Sequence, residues 1–209
     1  KLGTERITFG PDLEKVSLDQ VDVIAMSPGL SPKEESVKTL LERAKQKNIS
    51  IWGELDFFSK ALVSLKALQG YDPKVIAITG TNGKTTTTAL TGVICAKAGK
   101  SVAIAGNISP SLLDKLNTCL VSQNLPEIWV LELSSYQLFY CDHFAPHAAT
   151  ILNISEDHLD WHGDMLHYTQ AKAKIFGQDT IAVVNRDDAA VMGLFPIEET
   201  SRRRVISFG

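Results

Sequence analysis

A glycine-rich turn between an apolar run and four threonines is the strongest chemical signal in this chain. Val75-Ile-Ala-Ile-Thr79 reads as a buried strand, and Gly80-Thr-Asn-Gly-Lys-Thr85 follows it directly. A strand, turn and helix in this order point backbone N–H groups and the positive end of the helix dipole at an anion. Lys84 would reach the β- and γ-phosphates of a nucleotide, and the Thr85 hydroxyl would coordinate Mg²⁺. The residues predicted to form this nucleoside triphosphate site are Gly80, Thr81, Asn82, Gly83, Lys84, Thr85 and Thr86.

The motif is shorter than the complete phosphate-loop pattern, because Ile78 stands where that pattern has its first glycine. A plain strand-to-helix turn with a surface lysine is the alternative. The run Thr85–Thr88 argues against it, since β-branched residues are mediocre helix formers and four together suggest that hydroxyls are needed.

Two polar residues follow or end other predicted strands. Glu132 lies near the end of the apolar run Ile128–Leu133, and Asn107 follows the run Ser101–Ala105. An unpaired buried carboxylate is costly, and a Mg²⁺ shared with Thr85 would give Glu132 a partner. The alternative is a glutamate on an edge strand that faces water.

A third group of polar residues follows the predicted strand Ala148–Asn153. Two histidines and three acids occur in the seven residues from Glu156 to His162, which resembles a metal or phosphate site. The spacing of His158 and His162 would suit zinc, but the oxygen-rich surroundings favour Mg²⁺ with His158 as a nitrogen ligand. A helix cap with solvated charges is an equal alternative.

A lysine lies in the apolar stripe of a predicted helix. Tyr168, Lys172 and Phe176 recur at helical spacing on one face, and Lys174 is roughly 200° of rotation away from Lys172. A buried lysine loses its charge and becomes a nucleophilic amine. From the pattern alone the favoured interpretation is a snorkelling side chain, with a buried stem and a solvated ammonium.

The apolar runs and their spacing predict an α/β protein in two blocks, residues 1–70 and 71–209. The first block reads as the tail half of a doubly wound sheet, and the second as a mainly parallel sheet with its chemistry at the carboxyl ends of the strands. The predicted strands are Val21–Met26, Ile49–Trp52, Val75–Thr79, Ser101–Ala105, Ile128–Leu133, Ala148–Asn153, Thr180–Val184 and Val205–Phe208. The predicted helices are Lys33–Lys47, Glu54–Leu68, Lys84–Ala98 and Met165–Phe176.

Composition excludes several classes of function. The 209 residues carry a net charge of −3 and are 44% hydrophobic, which gives no electrostatic case for binding nucleic acid or an anionic membrane. No apolar stretch is long enough for a membrane span. Three cysteines without a CxxC spacing are typical of reduced thiols in a cytoplasm.

Taken together these motifs resemble the Mur ligases, the ATP-dependent amide-forming enzymes of peptidoglycan synthesis. The resemblance is strongest to the members that add D-glutamate to UDP-N-acetylmuramoyl-L-alanine. The segments that carry it occur in the family's order and are Met26–Leu30, Ile78–Thr85, Gly106–Ile108, Leu131–Leu138, Thr150–Asp160 and Tyr168–Lys172.

The resemblance implies a domain layout and a reaction. Residues 1–70 would be the end of a Rossmann-like UDP-substrate domain, and residues 71–209 most of a P-loop-type central ATPase domain. The C-terminal amino-acid-binding domain would be absent, so this chain alone is expected to be inactive. ATP would phosphorylate the substrate carboxylate, and the amino group of D-glutamate would attack the acyl phosphate. The implied context is a cytoplasmic, monomeric ligase that serves cell-wall biogenesis, cell shape and cell division.

The resemblance also assigns roles to residues. Lys84 would bind phosphate, and Thr85 and Glu132 would hold one Mg²⁺. His158 and a carbamylated Lys172 would serve a second Mg²⁺. The implied catalytic set is Lys84, Glu132, His158 and Lys172, and the implied contacts to the UDP-muramoyl substrate are Gly29, Asn107 and His158.

Three competing functions remain open from the sequence. A folylpolyglutamate synthase would share the loop and the lysine, but lacks the Glu-Leu-Ser-Ser-Tyr-Gln signature. A P-loop kinase or GTPase would need a motif that positions a base or water, and none is found. A nucleotide-binding module without catalysis is the third.

Overall fold

The computed structural model describes residues 12–195 and 204–209. Its strands form two parallel sheets, one of two strands and one of six. The strands are β1 (Val23–Ala25), β2 (Ser50–Trp52), β3 (Lys74–Thr79), β4 (Val102–Gly106), β5 (Ile128–Glu132), β6 (Ala148–Ile151), β7 (Ile181–Asn185) and β8 (Val205–Phe208).

Helices fill most of the connections between strands, as parallel pairing requires. They are α1 (Glu35–Gln46), α2 (Glu54–Gln69), α3 (Lys84–Lys97), α4 (Leu112–Val121), α5 (Ser135–Phe139), α6 (Leu159–His162), α7 (Met165–Ala173) and α8 (Ala189–Met192). A short 3-10 turn covers Asp12–Lys15. In the described ranges no helix is long and apolar enough to cross a membrane.

The large sheet has the strand order β4-β5-β3-β6-β7-β8, and every neighbouring pair is parallel. Because parallel crossovers are right-handed, this order places α3 on one face and α4 to α8 on the other. The strands at the centre are apolar because both of their faces are covered. The predicted mainly parallel α/β fold is confirmed, and the carboxyl ends of β3, β4, β5 and β6 meet at one edge.

The main core lies between the large sheet and the helices opposite α3. It contains Trp129 and Leu131 of β5, Tyr168 of α7 and Leu112 of α4. It also contains Leu55, Phe58 and Leu65 of α2, a helix that precedes the boundary predicted at residue 70. The helix that follows β2 is therefore part of the core of the large sheet, while Ile24 of β1 and Ile51 of β2 pack on a second buried cluster that includes Tyr140 and Trp161. The division into two domains stays a prediction, and its residues 1–11 lie outside the described ranges.

The predicted elements all exist among the described residues, and most of their ends differ by only one or two positions. The predictions missed α4 and the short helices α5, α6 and α8. The predicted helix Met165–Phe176 ends earlier, at Ala173.

Candidate functional site

The glycine-rich turn lies where β3 ends and α3 begins, at the centre of the large sheet. Gly83 has φ +81°, a left-handed conformation that suits glycine, and α3 starts at Lys84. Among the described residues, no side chain caps the N-terminus of α3. The first N–H groups of this 14-residue helix can therefore donate to a bound anion. The turn therefore has the form of an anion cradle.

Contacts from the loop after β6 fix the shape of the turn. Asn153 Oδ1 accepts from the Asn82 N–H at 2.8 Å, and Asn153 Nδ2 donates to the Asn82 carbonyl at 3.1 Å. Thr81 Oγ1 accepts from the Ser155 N–H at 3.0 Å and lies 3.1 Å from the Tyr168 hydroxyl. These contacts join the turn to the loop after β6 and to α7.

Lys84 and Lys172 converge on the same carbonyl oxygen. Lys84 Nζ donates to the carbonyls of Gly80 at 3.0 Å and Thr81 at 2.9 Å. Lys172 Nζ donates to the Gly80 carbonyl at 2.9 Å. The predicted phosphate lysine thus lies folded over its own loop, where it is near the position that phosphates would take.

Lys172 does not snorkel. The side chain is 2% exposed, and its Nζ lies 4.7 Å from the ring centroid of Tyr168. Burial, with a further contribution from the Lys84 ammonium, lowers the pKa of Lys172 to about 7. The favoured interpretation of the sequence is therefore wrong here, because α7 packs too deeply against the sheet for the ammonium to reach water. Lys174 is exposed, as the helical spacing predicts.

Glu132 is buried in the interior of the sheet, which excludes the edge-strand alternative. β5 lies between β4 and β3, and Glu132 is 1% exposed. Its Oε1 accepts from Asn107 Nδ2 at 2.9 Å, while Oε2 is buried without a hydrogen-bond partner. Gly106 makes room for this arrangement: a Cβ there would lie 2.1 Å from the Glu132 carbonyl oxygen.

The donors at this point fit a magnesium ion. The orphaned Glu132 Oε2 is a hard anionic oxygen that lacks a partner, which a cation would supply. Register places Glu132 beside Ile78, two residues before Gly80. Thr85 lies on the first turn of α3 with its side chain exposed. Among the described residues, however, no three His, Cys, Asp or Glu side chains are grouped so that they could hold a metal without further donors.

His158 and His162 do not form the paired metal site that their spacing allowed. His158 is exposed, lies at the N-cap of α6 with φ +53°, and has its Nε2 3.3 Å from Asp157 Oδ2. His162 is buried, with its Nε2 2.9 Å from Ser135 Oγ and its ring parallel to that of Tyr136. The nitrogens of the two rings thus contact different polar groups, although both rings pack against Tyr136 and Tyr168. The helix-cap alternative is only partly right, because the His158 side chain makes no cap hydrogen bond.

His158 and Lys172 nevertheless contact the ring of the same residue, Tyr168. The ring centroids of His158 and Tyr168 are 6.4 Å apart, and Lys172 Nζ packs on the same tyrosine.

Gly29 is on a separate turn closed by the Leu30 N–H bond to the Ser27 carbonyl. A Cβ at Gly29 would meet no atom within 4 Å, so nothing in the chain itself requires glycine there.

Sequence reasoning missed the residues that support this site rather than form it. Asn153, Tyr168 and the Ser135–His162 pair hold the loop and the surrounding helices by contacts between distant parts of the chain. Asn153 offered a signal, since it is polar and follows an apolar strand. The buried pairing of His162 with Ser135 had no local signal.

Comparison with known proteins places this geometry in a family. A model of the Mur ligase middle domain matches residues 78–209. A UDP-N-acetylmuramoylalanine–D-glutamate ligase of Paraburkholderia xenovorans is 52% identical over 99% of this chain. The corresponding ligase of Burkholderia thailandensis is 55% identical over 90% of the chain. The chain spans 41% and 38% of the length of these two relatives.

Solved structures show the same architecture. MurF from Acinetobacter baumannii is 27% identical and superposes with a TM-score of 0.54 over 73% of this chain and 34% of its own. MurF ligase from Thermotoga maritima, solved in complex with ADP, has a TM-score of 0.56 over 95% of this chain and 51% of its own. At 22% identity the second comparison supports the fold alone.

Proposed function

The chain belongs to the Mur ligase family, and we propose that it takes part in the ATP-dependent ligation of D-glutamate to UDP-N-acetylmuramoyl-L-alanine. The observation that carries the proposal is a phosphate cradle beside a buried carboxylate with one unpartnered oxygen, Glu132 Oε2. Relatives above 50% identity that carry this activity in their names support the choice of substrates. The reaction would belong to peptidoglycan synthesis in the cytoplasm.

The chemistry proceeds in two steps. The substrate carboxylate oxygen attacks the γ-phosphorus of ATP, and ADP leaves, which gives an acyl phosphate. The D-glutamate nitrogen then attacks the acyl carbon, inorganic phosphate leaves, and the amine proton passes to a base or to water. Positioning and neutralisation of charge supply most of the rate in phosphoryl transfer of this kind.

Residues of this chain take distinct parts in the first step. Backbone N–H groups at the start of α3 bind phosphate, and Lys84 leaves the carbonyls of Gly80 and Thr81 to neutralise it. Asn153 and Tyr168 keep the turn in the binding shape. Thr85 and Glu132 would hold one Mg²⁺, which when bound neutralises phosphate charge. Gly29, Asn107 and His158 would contact the UDP-muramoyl substrate.

We also propose that Lys172 reacts with CO₂. The bond forms between Nζ and the carbon of CO₂, the amine proton is released to solvent, and the product is a carbamate anion. Two features support this: the side chain is buried, and its lowered pKa leaves much of the amine neutral near pH 7. The carbamate and His158 would serve a second Mg²⁺, since both side chains pack against Tyr168.

Carbamylation is tested by ¹³C NMR of the protein equilibrated with ¹³CO₂ and Mg²⁺. We expect one slowly exchanging carbamate signal that is lost in Lys172→Arg and kept in Lys174→Arg. The same spectrum for wild type and Lys172→Arg would contradict the proposal.

Nucleotide binding is tested by calorimetric titration with a non-hydrolysable ATP analogue, with and without Mg²⁺. Lys84→Met removes a charge-assisted contact worth about 1.5–3 kcal/mol, so the Kd should rise about 10- to 150-fold. Lys97→Met, in the last turn of the same helix and exposed, is the matched control. In Glu132→Gln the gain in affinity from Mg²⁺ should disappear. Unchanged analogue affinity in Lys84→Met would mean that the cradle does not bind phosphate.

A further inference from the structure

The turn that carries Gly29 is tied to the site by two side chains. We define the substrate turn as residues 27–33, between β1 and α1. Its own backbone bonds join Leu30 to Ser27 and Glu34 to Ser31. Two side chains join the turn to the rest of the site. Tyr140, which follows α5, donates to the turn, and Lys33 of the turn donates to carbonyls of α6. The turn is therefore anchored to the part of the molecule that is built around the six-stranded sheet.

The first anchor is the Tyr140 hydroxyl, which donates to the Leu30 carbonyl at 2.7 Å. Tyr140 follows α5 and is 6% exposed, with its ring edge-on to Phe139 at 5.0 Å between centroids. Burial raises the pKa of Tyr140 to about 12, so the hydroxyl stays a donor across the physiological range. Leu30 directly follows Gly29 in the chain, so this hydrogen bond lies one residue from the proposed substrate contact.

The second anchor is the Lys33 ammonium. It donates to the carbonyls of Asp160 at 3.0 Å and Leu159 at 3.4 Å, in the helical turn that begins after His158. Gly163 has φ +103°, and a Cβ there would lie 3.3 Å from Lys33 Nζ. The glycine thus supplies both the backbone conformation that ends α6 and the space that the ammonium occupies.

Apolar packing joins the two anchors into one unit. Met26 and Val37, which flank the substrate turn, form a buried cluster with Tyr140 and Trp161. The ring centroid of Trp161 is 6.2 Å from that of Tyr140, and Trp161 directly follows Asp160, whose carbonyl accepts from Lys33. A shift of the substrate turn would therefore have to break both polar bonds and this packing.

We propose that Tyr140 and Lys33 are positioning residues that hold the substrate turn in register with Glu132 and His158. The inference rests on the proposed function, because it assigns Gly29 to the UDP-muramoyl substrate. A turn fixed before binding loses less conformational freedom when the substrate arrives. It also delivers the substrate carboxylate to a constant place relative to the phosphate cradle, which orientation-dependent chemistry requires.

The test is calorimetric titration of the chain with UDP-N-acetylmuramoyl-L-alanine and, separately, with the ATP analogue. Tyr140→Phe removes one oxygen and keeps the ring packing, and Lys33→Met removes the ammonium and keeps most of the stem. Each should weaken binding of the UDP substrate by roughly 3- to 10-fold, the equivalent of one hydrogen bond. The affinity for the ATP analogue should stay within about 2-fold, because neither residue touches the cradle.

Two further variants separate positioning from general damage. Lys33→Arg can still donate to the two carbonyls and should recover most of the affinity for the UDP substrate. Lys38→Met, on the exposed side of α1, should change neither affinity. Unchanged UDP-substrate affinity in both anchor variants, or an equal loss of both ligands, would overturn the inference. Failure of the wild-type chain to bind the UDP substrate would instead overturn the proposed function, and the inference with it.

Discussion

At the scale of single residues, the site combines buried polar groups that the fold leaves incompletely paired. Glu132 Oε2 and His162 Nδ1 are both buried without a hydrogen-bond partner. Lys172 is buried with a carbonyl as its nearest strong acceptor. Groups of this kind lower the stability of a fold unless a ligand or a change of charge satisfies them. The burial of Glu132 and Lys172 beside one phosphate cradle is a reason to assign these two residues to binding rather than to structure.

His162 predicts a loss of stability in mild acid. Burial, together with the positive charges of its neighbours, lowers its pKa to about 4, from 6.5 for a free imidazole. Between these two pH values the unfolded chain binds more protons than the folded one, so stability falls as the pH falls below about 6.5. From pH 7 to pH 5 this group should remove about 1–2 kcal/mol of the free energy of unfolding.

Urea denaturation at the two pH values measures this loss. His162→Gln, which cannot titrate, should make the difference between pH 7 and pH 5 smaller by the same amount. His167→Gln is the control, because His167 is exposed and is bonded to Asp164 at the start of α7. The assignment to His162 is wrong if His162→Gln keeps the full wild-type loss of stability in acid.

At the scale of elements, the sequence predicts those parts that depend on local pattern. The transition from β3 to α3 follows from Gly80, Gly83 and an apolar run, and the structure places it within one residue. The predicted face of α7 is also right, because helical spacing alone puts Tyr168 and Lys172 together. Local pattern did contain a signal for α4, since Ser111 caps it and Leu112, Leu116 and Cys119 are its buried side.

Contacts between distant elements explain what the sequence could not predict. Whether Lys172 reaches water depends on how deeply α7 packs on the sheet, and helical spacing does not set that depth. Whether Glu132 lies at an edge depends on strand order, which places β5 between β4 and β3 only after the crossovers are known. His158 and His162 do not pair as helical i, i+4 neighbours, because His158 lies outside α6 as its left-handed N-cap residue.

At the scale of the whole molecule, the two sheets are joined by a buried carboxylate. Asp56 is fully buried in the first turn of α2, where its Oδ2 accepts from the Gly53 N–H at 3.0 Å. Its Oδ1 accepts from the N–H groups of Asp142 at 3.2 Å and His143 at 3.3 Å. These two residues follow α5 in the larger block. A two-stranded sheet is at best marginally stable alone, so the β1-β2 region depends on such contacts.

We expect Asp56→Ala to lower the free energy of unfolding by about 3 kcal/mol or more, because it leaves the N–H groups of Gly53, Asp142 and His143 without this acceptor. Urea denaturation followed by tryptophan fluorescence is the measurement, since Trp52 and Trp129 lie in different sheets. The wild-type chain should unfold in one transition, because α2 contributes to the core of the large sheet. Asp72→Ala removes an exposed ion pair with Lys66 and should leave stability nearly unchanged. If Asp56→Ala loses no more than Asp72→Ala, the buried carboxylate does not hold the two sheets together, and the shared apolar core of α2 must do so instead.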